Sequence, residues 1–195
     1  AVLNLATRIV LTPPVAAFAV ALHNVPSYQE DGSWIWVYTH VDGAEEQQIR
    51  LRGLPVVGGV EWQMRVSDSA AHPPFANELW FEGTTHLDGE LGDWTFYDFT
   101  LEGRPAVGRL EWGNDSDGEY LILSALYGDD AGDVLAYRHD APHNTIDFTD
   151  GADGSQAYIR WNEADGTGSL MVPDYNGGAE ACWDAQQFDV DCGGE

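Results

Sequence analysis

There is no lysine in this chain, and arginine supplies all 8 basic residues against 33 acidic ones. The formal charge of −25 on 195 residues repels itself in the compact state and suits surroundings where salt screens that repulsion. Without a basic patch the chain offers no footprint for nucleic acid or for an anionic membrane surface. Cysteine is scarce too: Cys182 and Cys192 stand alone near the C-terminus. A zinc site would need further cysteines or a paired histidine beside them, and none is there. Their spacing suits a local disulfide closing a short loop, the alternative being two free thiols; an exported-looking composition favours the disulfide and an extracytoplasmic location. No apolar run reaches the ~20 residues of a transmembrane helix. Val15 to Leu22 is apolar but short, and no basic region precedes a longer apolar core as a secretory leader requires.

What the chain does have is aromatic and glycine residues: eight Trp, eight Tyr, seven Phe and 22 Gly. Short apolar runs with tight turns between them read as strands. Residues 1–24 read as a helical segment. Val2, Leu3, Leu5, Ile9 and Val10 recur at helical spacing, Pro13 and Pro14 break the run, and Val15–Leu22 follows as a second short helix, apolar nearly all round. Residues 32–173 read as a β-meander. In Ser33–Asp42, Trp34, Trp36 and Tyr38 share one face and Ile35, Val37 and Val41 the other. Val60, Trp62, Met64 and Val66 alternate with polar residues, so that strand has one wet face. Further strands are predicted at 46–53, 75–83, 93–101, 107–113, 119–127, 133–138, 144–149, 155–162 and 168–172. Asp-Gly pairs at 42–43, 88–89, 117–118, 153–154 and 165–166 supply hairpin turns. Residues 174–195 read as a tail closed by the Cys182–Cys192 disulfide. The expectation is a single all-β domain, an antiparallel up-and-down meander of about ten strands closed or curled into a barrel or half-barrel, because curling blunts exposed edges.

From Gln29 to Cys192 the text resembles a family of uncharacterised bacterial secreted proteins and lipoproteins. The resemblance rests on Ser33-Trp34-Ile35-Trp36-Val37-Tyr38, Val60-Glu61-Trp62-Gln63-Met64-Arg65, Leu79-Trp80-Phe81-Glu82-Gly83, Gly92-Asp93-Trp94-Thr95-Phe96-Tyr97-Asp98, and Cys182-Trp183-Asp184 through Asp189-Val190-Asp191-Cys192. It implies export, often with an upstream lipid anchor, and no activity. The chain departs from that pattern in lacking the leading lipid-carrying cysteine.

No motif for catalysis stands out. There is no nucleophile elbow and no glycine-rich phosphate loop. The acidic turns at 114–118, 128–130 and 150–154 could ligate calcium, but none has the alternating ligands of an EF-hand; hairpin turns are the simpler reading. His139 and His143 lie four apart, with Pro142 against the helix that would join them at a metal. Glu61 and Glu111 each precede a Trp in similar strands and read as surface carboxylates, not a glycosidase pair. No catalytic residue, metal or cofactor is assigned. The candidate ligand-binding residues are Trp34, Trp36, Tyr38, Trp62, Trp80, Trp94, Phe96 and Trp112, which could line a cavity for a small apolar ligand or lipid; ordinary core packing is the competing reading. The two leading functions are an exported binding module and a structural or interaction subunit of a surface assembly that associates through residues 1–22.

Overall fold

A computed structural model describes residues 13–42 and 45–193. The helix expected within residues 1–12 lies outside the described residues. The chain divides into two compact units, which among the described residues are 13–109 and 110–193. Helix α1 is Pro13–Leu22, and the strands are β1 (Ser27–Tyr28), β2 (Trp34–Asp42), β3 (Glu45–Val56), β4 (Gly59–Asp68), β5 (Phe75–His86), β6 (Gly92–Tyr97) and β7 (Ala106–Asp115). There follow β8 (Gly118–Ala125), β9 (Val134–Asp140), β10 (His143–Thr149), β11 (Gln156–Asn162), β12 (Gly168–Met171), β13 (Ala181–Trp183) and β14 (Asp189–Val190). Strand order follows chain order from β1 to β14, giving one antiparallel meander that is not closed.

The expected all-β meander is therefore present. Three strands were not expected from the sequence: β1, β13 and β14. Each is two or three residues long, too short for a period-two pattern to register. Strand ends differ where side chains or turns decide them. β6 stops at Tyr97 because Asp98 Oδ1 accepts the N–H of Thr100 at 2.8 Å and its hydroxyl at 2.6 Å, an Asx turn that diverts the backbone. β3 runs past Gly53 to Val56 because the turn sits at Val57-Gly58, with Gly58 at φ 85°.

In the first unit most buried apolar side chains of the sheet come from one face, Ile49, Leu51, Met64, Val66, Phe81, Trp94 and Phe96, while Ile35 is buried on the other. Alternation puts Arg50, Arg52, Gln63, Arg65 and Glu82 on that second face as well. Leu51, Met64 and Phe81 are fully buried, and each such side chain contributes roughly 2 kcal/mol. α1 lies over the apolar face, with Ala17 and Ala21 buried. Its end is capped by the next two residues: His23 Nδ1–H donates to Ala19 O at 2.7 Å and Asn24 Nδ2–H to Val20 O at 3.0 Å, satisfying carbonyls the helix leaves open. In the second unit Leu123, Ala125, Phe148 and Ala157 form the buried apolar set. A Cys182–Cys192 disulfide ties β13 to the residues just after β14. Disulfides persist in oxidising surroundings.

Candidate functional site

Register, not sequence proximity, assembles the aromatic residues of the first unit. Trp34 pairs with Gly53, Gly53 with Trp62, Trp62 with Gly83 and Gly83 with Trp94. Tryptophan and glycine thus alternate across five strands, and each glycine leaves room for an indole to lie over its backbone. The next row is Trp36, Leu51, Met64, Phe81 and Phe96. Tyr38 begins a third row, with Ile49 and Val66. Six of the eight predicted residues therefore share one face: Trp34, Trp36, Tyr38, Trp62, Trp94 and Phe96. Trp80 leaves the set because register slips at Met64/Arg65; its ring lies 6.3 Å from that of Phe99. Trp112 belongs to the second unit.

Phe18 of α1 occupies the middle of this face. Its ring meets Trp62 edge-on at 5.0 Å and 84°, and sits 4.9 Å from Trp94 and 6.0 Å from Phe81. These separations fall in the range where aromatic pairs add to area burial. Tyr38 donates its hydroxyl to the Ala17 carbonyl at 3.0 Å, and burial pushes its phenol pKa up. The Trp62 indole N–H donates to Thr85 Oγ1 at 2.9 Å. Trp34, 40% exposed, leans on Tyr28 at 5.1 Å. α1 therefore sits where a ligand of this aromatic wall would have to bind. Its other side stays in solvent: Val20 is 50% exposed and Leu22 44%.

The second unit repeats the alternation as Asn144, Trp161, Gly168 and Trp183 in one row. The Trp183 ring covers Gly168 and its N–H donates to Gly166 O at 2.9 Å. The row begins in a polar network. Asn144 is 4% exposed; its Oδ1 accepts the Tyr137 hydroxyl at 2.7 Å and His139 Nδ1–H at 3.0 Å. Asn144 Nδ2–H points to Glu163 Oε2 at 3.4 Å. Because Asn144 Oδ1 can only accept, His139 donates from Nδ1 in this arrangement. An open groove of ≈ 680 Å³ crosses β10 to β12, lined by Thr145, Asp147, Arg160, Asn162, Thr167 and Ser169 among others. Asn144, the partner of His139, and Trp161 and Trp183 of the same row border the groove as well.

The predicted polar candidates are dispersed. His139 pairs with Asn144 and His143 with Asp140, which puts the two imidazoles on opposite faces of one hairpin. Glu61 and Glu111 fall in different units. Asp115 and Asp150 accept backbone N–H groups of their own turns, from Asp117 and Ala152, each at 2.8 Å. Asp153 accepts from Ser155 at 2.7 Å. These bonds hold the Asp115 and Asp153 carboxyls below their usual range. Among the described residues, one group places three potential ligand atoms within 4.8 Å, Glu180, Cys182 and Cys192, and its two sulfurs are bonded to each other.

Sequence reasoning missed Phe18, Asn144 and the arginines of β3 and β4. Asn144 is legible as a polar residue in phase with Ile146 and Phe148. Arg50 and Arg52 alternate with Ile49 and Leu51 in a chain where any basic residue is rare. Comparison with protein-family models, with curated proteins and with solved structures finds no match to this chain. Among the described residues no helix is long and apolar enough to cross a membrane.

Proposed function

We propose that the protein is a non-catalytic, exported structural or interaction subunit that associates with copies of itself through α1. One observation carries this reading: α1 fills the aromatic face with Phe18 while presenting Val20 and Leu22 to solvent. In this reading β2 to β6 curl around the helix, and its outer side packs on a neighbour. The disulfide, the acidic balance and the resemblance to exported tryptophan-rich meander proteins support an extracytoplasmic location. Two chains of charge −25 repel each other until salt shortens the range of that repulsion to ~10 Å at 0.1 M and ~3 Å at 1 M. Light scattering along a NaCl series tests the reading. Mass should rise above the monomer in concentrated salt, and a Val20→Glu, Leu22→Glu variant should stay monomeric. A wild-type chain monomeric at every salt and protein concentration contradicts it.

A second reading, binding of a small apolar ligand or lipid, is favoured by the six aromatics on one face. It requires α1 to leave that face. Native mass spectrometry of gently purified protein would reveal a bound species; a clean apo mass counts against it.

A further inference from the structure

Arg8 lies outside the described residues, and the other seven arginines are not placed alike. Arg52, Arg104, Arg109, Arg138 and Arg160 each have a carboxylate oxygen within 4.0 Å, from Asp31, Glu78, Asp93, Asp115 and Asp147. Arg50 and Arg65 have none among the described residues, and they stand directly opposite each other on β3 and β4. Like charges in such a pair are destabilising. With 33 acidic residues for 8 basic ones, a carboxylate partner is the easiest thing for this chain to supply, yet this pair has none among the described residues.

Arg65 is held in place by neutral oxygens. Its Nε–H donates to Gln63 Oε1 at 3.1 Å and its Nη1–H to Asn77 O at 2.9 Å. Asn77 adopts φ 57°, and its own N–H donates to Ser67 Oγ at 2.8 Å. Glu82, directly opposite Gln63 on β5, is already bound by Gln63 Nε2–H at 3.2 Å and the Tyr97 hydroxyl at 2.8 Å. Gln63 therefore stands between Glu82 and Arg65, and the second terminal nitrogen of Arg65 has no partner among the described residues. Arg52, two residues from Arg50 on the same face, is spent on Asp31 at 3.0 Å.

We propose that Arg50 and Arg65 form a binding site for a small oxyanion on the face of the first unit opposite its aromatic core. Two planar guanidinium groups with free N–H donors match the oxygens of a carboxylate, sulfate or phosphate. A bound anion would also remove the repulsion between the two arginines. The overall charge opposes the approach of any anion at low salt, whereas contacts at hydrogen-bond distance survive when salt screens the distant carboxylates. The site does not depend on association through α1, which lies on the other face.

Arginine Nε–H resonances report the test directly. Sodium sulfate, sodium phosphate and sodium acetate would each be titrated to about 0.1 M, with ionic strength held by NaCl. Arg50 and Arg65 should shift saturably while the five carboxylate-paired arginines stay still. Saturation by sulfate or phosphate alone assigns the site to tetrahedral anions, and by acetate alone to carboxylates; either supports the proposal. Arg65→Gln and Arg50→Gln should each weaken binding by about tenfold or more. Arg50→Gln should also melt no lower than wild type in NaCl alone, since it removes a repulsion. Saturation by none of the three anions, a uniform shift of all arginines, or unchanged affinity in Arg50→Gln would overturn the site.

Discussion

The Trp62 indole lies across Gly53, its direct partner on the neighbouring strand, so that a methyl group placed on Gly53 would stand 2.8 Å from ring carbon Cζ3. Gly83 stands in the same relation to Trp94, but there the obstruction includes backbone: the Asp93 carbonyl and Trp94 Cα, the latter at 2.7 Å. An indole can tilt and a paired strand cannot. Gly53→Ala is expected to cost about 1–3 kcal/mol, in the range of overpacked cores, and Gly83→Ala more. Urea unfolding of both variants checks the order; a neutral Gly83→Ala would refute it.

Phe18 contributes to stability through three ring neighbours on the sheet. Phe18 is half-buried, so Phe18→Ala should destabilise the protein by about 2 kcal/mol, below the cost at a fully buried phenylalanine. The near-ultraviolet circular dichroism of the tryptophans should weaken with it. Wild-type stability in this variant would mean that α1 does not rest on the aromatic face.

Asn144 gathers two donors, from Tyr137 and His139, on one amide oxygen. Asn144→Leu leaves both without that acceptor and is expected to cost about 1–3 kcal/mol. Tyr137→Phe in the same chain should cost less than it does alone, since the hydroxyl has already lost its acceptor. Strict additivity in denaturant titrations would show that the network is not coupled.

Acid should act through the turns. The hydroxyl and N–H of Ser33, then Arg52, hold the Asp31 carboxyl down to about 2. The Thr167 hydroxyl lowers Asp165, as backbone N–H groups lower Asp115 and Asp153. The unfolded chain, with carboxyls near ~3.9, then binds more protons than the folded one between about pH 4 and 2. Stability from these groups is complete above that window and is lost on descending through it. The melting temperature should fall from pH 4 to pH 2 at constant ionic strength, and less so in Asp31→Asn; a flat profile would contradict the assignment.

Salt should act in the opposite sense. Screening of 33 acidic residues against 8 basic ones should raise the melting temperature from low to molar NaCl. Insensitivity to salt would show that the charge imbalance is not a stability term.

Much of the meander can be read from the residues because its strands alternate cleanly, as in Val60–Val66, and because Asp-Gly pairs mark several of its turns. The aromatic face was legible as a set of residues. What α1 does to that face was not, because no local pattern says which sheet face an all-apolar helix covers. Trp80 was misplaced with the others because a one-residue slip leaves no mark in composition. The arginine pair was invisible because cross-strand partners 15 positions apart in the chain, Arg50 and Arg65, become neighbours only once the hairpin register is known.

The most direct measurement is the set of nuclear Overhauser contacts from the Phe18 ring in solution. Cross-peaks from its ring protons to the indole protons of both Trp62 and Trp94 are expected, from centroid separations of 5.0 and 4.9 Å. A Phe18 ring that shows neither, in protein with no ligand bound, would contradict a helix seated on the aromatic face and return that face to an outside partner.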